Sequence, residues 1–553
     1  MAEVVAAGGQ HTAGTAGDAF PAEGGREAVA ARLAGLDAVR ARQRVVVKRE
    51  PSHVVVVARA GTGKTTTLVE GVRLMLGHPT TLVPSPQQAA VWDALKQSAG
   101  MPSVCFLAFN KAIAEELQRR VPRGCDAKTN HSLGFGVVRA RFGNVKVNQY
   151  RVDDLIESIT GVEIRLLRRT RGTMLKATRE LVGLAKMNLA TPDAEGLSAL
   201  ASHYNVELYD DAGDYTDEVF DLVPRVLDAC LHPEKDGCID YDDMVWLPVA
   251  LDLPVRPYDV LLVDESQDLN RAQQALVRKA GKRLVLCGDP RQAIYGFAGA
   301  DAESMPRMIR GLSADARGCT VLPLTVTRRC GRAIVAAAQQ TVPDFEAHES
   351  NPAGLVGSKK WRDEGAEFWV RHARPGDMVL CRTNAPLISW CLRLIRQGVK
   401  AVIRGRDVGQ GLISLVHKAK AGSVAQLEAF VHEWAAAETR KEGAKRNPDE
   451  GKLIAIEDKA SCVLAFADGA DSVEAVVGRI ERVFSDRDNE PAVQFSSIHK
   501  AKGLEARRVF ILQPKAGGVP HPMARTAWQA EQERNLLYVA ITRAIDELFW
   551  VCE

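Results

Sequence analysis

Short, unbroken apolar runs punctuate this chain, each ending in a polar or glycine-bearing turn. Val54-Val-Val-Val57, Val104-Cys-Phe-Leu-Ala108, Val260-Leu-Leu-Val263, Val285-Leu-Cys287 and Met378-Val-Leu-Cys381 are the clearest. A run of that length without alternation reads as a parallel strand covered on both faces. The stretch 131–240 instead carries a largely helical pattern. Strands of this kind interleaved with helices predict an α/β fold built on parallel sheets.

Two of these runs lead into residues that carry chemistry. Val54–Val57 leads into Ala58-Arg-Ala60-Gly61-Thr62-Gly63-Lys64-Thr65, and a helix is expected from Lys64-Thr65-Thr66 onward. The glycines let backbone N–H groups of residues 60–66 close around phosphate oxygens, and the helix N-terminus favours the anion. Lys64 is the expected cation for the β- and γ-phosphates, and Thr65 the hydroxyl for Mg²⁺. Ala58 stands where the pattern usually begins with glycine. Val260–Val263 leads into Asp264-Glu265. Asp264 at the strand end is the expected partner of Mg²⁺, and Glu265 the group that orients or deprotonates an attacking water.

Composition narrows the setting. A chain of 553 residues exceeds one hydrophobic core, so three or four domains are expected. A net charge of +3 is mild, so any nucleic-acid affinity must come from local grooves rather than bulk charge. No run of 18 apolar residues and no secretory signal is present. Residues 1–28, rich in Ala, Gly and Thr, read as a disordered tail. The odd count of 11 cysteines suggests free thiols in a reducing cytoplasm. Cys230, His232 and Cys238 lie close in sequence but lack a fourth zinc ligand nearby.

Further segments complete a pattern. They are Val104 through Phe109-Asn110-Lys111, Lys128-Thr-Asn-His131-Ser, Gly288-Asp-Pro-Arg-Gln292-Ala-Ile-Tyr295-Gly-Phe297, Thr327-Arg-Arg329-Cys, His499-Lys-Ala-Lys502-Gly-Leu-Glu505 and Tyr538-Val-Ala-Ile-Thr542-Arg543. In this order they resemble the motifs of superfamily 1 helicases of the UvrD/Rep type, with similarity also to F-box DNA helicases and phage relatives. The resemblance implies two RecA-like P-loop motor domains, each carrying an accessory insertion. It implies that Gln292 senses the γ-phosphate, that Arg329 contacts phosphate, that Glu505 accepts from a ribose hydroxyl, and that Arg543 acts as an arginine finger. It implies DNA contacts at Phe109, Asn110, His131, Tyr295, Phe297, His499 and Lys502, the two aromatic rings of the third motif stacking on bases. Asn130 replaces the aromatic usual before His131, which leaves no ring to stack there.

The motif spacing then sets the organisation. The first motor domain is expected over 29–130 and 241–325, with 131–240 a helical insertion, and the second over 326–404 and 491–553, with 405–490 a small insertion. The chain stops just after the last motif, so no fused nuclease is expected. Adenine reading is left between two sites. Gln43 lies upstream of the phosphate loop as the family's glutamine does, while Pro84-Ser-Pro-Gln87-Gln88 looks like that motif but comes after the loop, in a stretch (80–100) that reads as an insertion. The expected activity is an ATP- and Mg²⁺-dependent DNA helicase or translocase moving 3′ to 5′ on single-stranded DNA and unwinding duplex. The setting is repair, replication or defence, with protein partners from those processes and no membrane. The alternatives are a translocase that strips proteins from DNA with little unwinding, and a non-motor ATP-binding switch.

Overall fold

The computed structural model describes residues 51–552 apart from 97–100, 205, 211, 295–302, 361–371, 405, 445–449, 485–491, 516, 523 and 525–526. Two six-stranded sheets, parallel throughout, organise these residues. The first contains β1 (His53–Ala58), β2 (Val104–Ala108), β3 (Cys125–Thr129), β4 (Tyr258–Val263), β5 (Gly281–Gly288) and β6 (Cys319–Leu324), in the order β6-β1-β5-β4-β2-β3. The second contains β7 (Leu355–Lys360), β8 (Met378–Cys381), β9 (Ala401–Ile403), β10 (Val493–Ser497), β11 (Ala506–Gln513) and β12 (Ala544–Cys552), in the order β7-β12-β11-β8-β10-β9.

The unbroken apolar runs have a direct cause. In β1, Val54 and Val56 pack into one helical layer with Leu68, Val72 and Leu95. Val55 points the other way, into a layer with Leu276, Leu286 and Met308. In β8, Met378 and Leu380 face one core and Val379 and Cys381 the other. A strand covered on both faces has no solvent side on which a polar residue is favourable. Each such fully buried side chain contributes about 1.5–3 kcal/mol.

Two helical excursions leave the sheets. Between β3 and β4 the chain builds a helical body with its own core, including Ile156, Leu181, Val219 and Val226. A buried ionic cluster braces it internally. Arg151 meets Asp236 at 2.8 Å and Asp243 at 2.6 Å, while Lys186 meets Asp240 at 2.6 Å and Asp243 at 2.7 Å. Between β9 and β10 the helices Arg406–Ala419, Val424–Gly443, Glu450–Ala467 and Val473–Val483 form the second excursion. Among the described residues no helix is long and apolar enough to cross a membrane.

The stretch 80–100, read as an insertion, does not stand apart from the motor. Its helix Pro86–Lys96 is part of the first motor core. Leu95 and Trp92 close over Gly71 of the helix Lys64–Met75, and Trp92 Nε1 donates to the Thr67 carbonyl at 2.9 Å. Arg283 of β5 donates to the carbonyls of Ala94 and Leu95 at this helix's C-terminal end. The apolar face of this helix is too large to leave in water, and the sheet's outer layer buries it.

The helix Asn130–Phe142 leads into the first excursion and crosses the helix Asp243–Ala250 at very short range. A Cβ on Gly134 would stand 2.0 Å from the Met244 carbonyl oxygen. A backbone carbonyl cannot rotate aside as a side chain can. Gly134→Ala should therefore force the two helices apart and cost about 1–3 kcal/mol or more, read as a fall in thermal midpoint. An unchanged midpoint would mean that the two helices separate at no cost.

Candidate nucleotide cleft between the two motor sheets

Parallel strands end on one edge, so the turns after β1, β4 and β5 gather in one place. The turn after β1 is the glycine-bearing loop. Gly61 and Gly63 both take left-handed backbone, φ 66° and 78°. Gly61 has a second reason to be glycine, because a Cβ there would lie 2.5 Å from Arg329 Cβ and 2.6 Å from Thr327 Oγ1. The loop therefore packs directly on the chain leading into the second sheet. Arg328 N–H donates to the Gly61 carbonyl at 3.1 Å. Ala60 N–H donates to the fully buried Tyr538 hydroxyl at 3.0 Å.

The turn after β4 brings up the acids. Lys64 Nζ lies 3.1 Å from Glu265 Oε1, and Thr65 Oγ1 donates to Asp264 Oδ2 at 2.7 Å. Glu265 is a non-glycine residue in left-handed backbone, φ 52°. Such strain costs about 1–3 kcal/mol and persists where surrounding contacts enforce it. Here Gln267 Nε2 donates to Glu265 Oε2 at 2.6 Å. Burial alone would raise the Glu265 carboxyl, but Lys64, Lys502 and the Gln267 amide pull it well below the usual carboxylate range. Burial and the neighbouring Glu265 push Asp264 the other way, upward. The turn after β5 supplies Gln292, whose Nε2 donates to the buried Asp289 Oδ2 at 2.8 Å.

From the second sheet, Arg329 Nε pairs with Glu505 Oε2 at 2.6 Å. Arg543 is buried, donating from Nε to the Val539 carbonyl and from Nη1 to the Leu504 carbonyl, each at 3.0 Å. Burial, reinforced by the charge of Arg329, lowers its pKa to about 10. The sequence-predicted residues Ala60 to Thr66, Asp264, Glu265, Gln292, Arg329, Glu505 and Arg543 thus meet around one cleft.

The expected DNA contacts divide. Phe109 is exposed, and Asn110 caps the helix Lys111–Arg120 by accepting from Ile113 N–H at 2.9 Å. His131 is half-buried beside Asn270 and Gln273, and burial lowers its pKa. Asn130 is buried. His499 is half-buried, and burial with the nearby Arg382 lowers its pKa to about 3. Lys502 is not on an outer surface. Its ammonium crosses the cleft to Asp268 Oδ2 at 2.5 Å and the Gln292 carbonyl at 2.8 Å. The physical reason is charge: burial raises the Asp268 carboxyl to about 6 even with this cation beside it. Tyr295, Phe297 and Gln43 lie outside the described residues. Of the other adenine candidates, Gln87 exchanges bonds with Thr325, donating to its Oγ1 and accepting from its N–H, each at 2.9 Å. Gln88 lies against Gly63 and donates to Thr67 Oγ1 at 3.0 Å.

Sequence reasoning missed Tyr538 on the loop's N–H and Arg59, and gave Lys502 to the DNA without its bond to Asp268. Only Arg59 left a signal, a large cation at a loop position flanked by small residues.

A phosphate loop on one parallel sheet, faced by two arginines from a second, defines a nucleotide-hydrolysing motor of two RecA-like domains. Comparison with known proteins specifies which. Residues 39–311 match the UvrD/REP helicase N-terminal domain, and residues 474–552 the UvrD-like helicase C-terminal domain. The chain belongs to the UvrD/Rep helicase family and is an ATP-hydrolysing DNA helicase. It is 26% identical to the ATP-dependent DNA helicase UvrD2 of Mycobacterium tuberculosis, over 93% of this chain and 78% of that protein. It is 23% identical to F-box DNA helicase protein 1 of Schizosaccharomyces pombe, over 91% of this chain and 56% of that one. With DNA helicase II of Escherichia coli it shares 24% identity, over 59% and 42% respectively.

The position of Lys502 is open to direct test. Removing one member of a buried pair typically costs about 3–5 kcal/mol, because the other charge is left stranded. Lys502→Ala should lower the thermal midpoint and ATP turnover while single-strand affinity per folded molecule stays close to wild type. A contact on the DNA track would give the reverse, lost affinity at an unchanged midpoint.

Proposed function

We propose that the chain is a motor moving 3′ to 5′ along single-stranded DNA and unwinding duplex, driven by Mg²⁺-dependent ATP hydrolysis between its two motor domains. The observation that carries this reading is the two-sided cleft: Lys64, Thr65, Asp264 and Glu265 on one sheet, Arg329, Glu505 and Arg543 on the other. A site assembled from two bodies ties bond cleavage to their relative position.

The roles come from the chemistry of each group. The N–H groups of the loop and the Lys64 ammonium hold phosphate oxygens. Glu265, kept as an anion, orients a water and accepts its proton. Gln292 presents an amide where the terminal phosphate lies. Arg329 and Arg543 offset the charge that builds on the transferred phosphoryl group. Glu505 accepts from the ribose, and Phe109, Asn110 and His131 face the strand. Mg²⁺ fits the donor set beside the loop. One hydroxyl and one carboxylate, 2.7 Å apart, suit a hard cation that keeps its waters and takes phosphate oxygens. The raised Asp264 marks negative charge that a cation would relieve. Bound there, Mg²⁺ supplies charge neutralisation to the phosphates.

Polarity is read from strand displacement. A duplex with a 3′ single-stranded tail should be unwound in Mg²⁺ and ATP, and one with a 5′ tail should not. Glu265→Gln should still bind ATP yet lose both turnover and displacement, since an amide takes no proton. Displacement from the 5′ tail alone would reverse the polarity.

Arg543→Ala tests whether the second domain completes the site. An arginine finger is worth about 10³–10⁵ in rate. Nucleotide binding should persist while DNA-stimulated hydrolysis collapses. Near-normal hydrolysis would mean that Arg543 acts only as the buried tie between Val539 and Leu504.

A further inference from the structure

One side chain in the cleft has no part in these roles. Arg59 lies in the phosphate loop itself, and its backbone is held at both ends. Its N–H donates to the Leu324 carbonyl at 2.8 Å, and its carbonyl accepts from Thr62 Oγ1 at 2.9 Å. Its guanidinium reaches in two directions. Nη1 donates to Asp289 Oδ1 at 2.9 Å. Nε and Nη2 form a fork on Asp344, donating to Oδ1 at 3.0 Å and Oδ2 at 2.7 Å.

The two carboxylates belong to different bodies. Asp289 comes directly after β5 of the first sheet and is fully buried. Its other oxygen accepts from Gln292 Nε2 at 2.8 Å. Its own N–H donates to Gln267 Oε1 at 3.0 Å, and Gln267 in turn holds Glu265. Asp344 precedes Phe345, which is buried in the core of the second sheet beside Tyr538. Its carboxylate is 51% exposed, against 0% for Asp289.

We propose that Arg59 is a positioning residue that couples the seating of the second motor domain to the alignment of Gln292 and Glu265, with Asp344 as its releasable partner. The inference rests on the reading of the cleft as the ATP site. A guanidinium is planar, and a two-point fork fixes its plane. With Asp344 seated, the plane of Arg59 is set, Nη1 is aimed at Asp289, and the second oxygen of Asp289 is held for Gln292. With the domains apart, water takes the place of Asp344, because that arm is the exposed one. Arg59 then keeps one partner about which it turns, and the Asp289–Gln292 pair keeps the Arg291 N–H bond at 3.1 Å but loses the fixed direction of the guanidinium. A lysine offers no planar fork with which to span both carboxylates.

The test uses the full chain and tracks ATP hydrolysis with and without a single-stranded oligonucleotide, beside the thermal midpoint. Solvent screens this pair from the Asp344 side, and an amide oxygen can still accept from Arg59, so Asp344→Asn should lower the midpoint only slightly. Small misplacement of reacting groups is costly, so its DNA-stimulated kcat should fall about tenfold or more. The KM for ATP should move less than about twofold, since no ATP-binding group is touched. Asp344→Glu should restore most of kcat, and Arg59→Lys should show the same kcat loss as Asp344→Asn. Wild-type kcat in Asp344→Asn, a change confined to KM, or a loss that tracks the thermal midpoint overturns the proposal. Lys64→Ala in the same series separates the two readings. If wild type hydrolyses ATP and Lys64→Ala does not, the ATP site stands whatever Asp344 does. If Lys64→Ala hydrolyses normally, the site reading fails and this proposal with it.

Discussion

Four carboxylates, those of Asp264, Glu265, Asp268 and Asp289, crowd the turns after β4 and β5, and all but Glu265 are buried. Grouped acids out of water repel one another and are poorly solvated, and the rest of the cleft is arranged around that constraint. Lys64 answers Glu265, Arg59 answers Asp289, and Lys502 answers Asp268. Lys502 comes from the second sheet, so Asp268 is answered from across the cleft while Lys64 and Arg59 serve their own domain. The balance is also uneven. Asp264 and Asp268 are pushed upward by burial, while Glu265 is pulled down by its cations. Negative charge is thereby concentrated on Glu265, against the Lys64 ammonium.

The same cleft is held by neutral bonds that cross between sheets. The Tyr538 hydroxyl and the Arg328 N–H engage consecutive residues of the phosphate loop, at Ala60 and Gly61. A loop whose N–H groups are meant for phosphate thus commits some of its bonding to the opposite domain. This explains why Gly61 is doubly constrained, by its own backbone and by the side chains of Thr327 and Arg329.

Much of this was legible in the sequence, for reasons specific to the elements concerned. Strands buried on both faces leave unbroken apolar runs, so β1, β4 and β8 were readable one residue at a time. The loop and the acids after β4 are local in sequence, and their residue types reflect phosphate and water chemistry. What was not legible depends on long-range contact. The helix Pro86–Lys96 reads as an insertion because its apolar face gives no sign of which sheet will bury it. Lys502 reads as a DNA contact until Asp268, more than two hundred residues away, is seen to lie against it. Arg59 was visible as an oddity, but its two partners are distant and of a common residue type. The helical excursion was recognisable by pattern, whereas the ionic cluster at its base was not.

That cluster bears on how motion travels. Within the helical body, the Gly134–Met244 crossing and the pairing of Arg151 and Lys186 with Asp236, Asp240 and Asp243 fix the helices against one another. Charges placed as deeply as Arg151, Lys186 and Asp243 do not exchange partners without stranding one another, so these helices keep their mutual angles. The body is thus braced to move as one piece rather than to flex within itself.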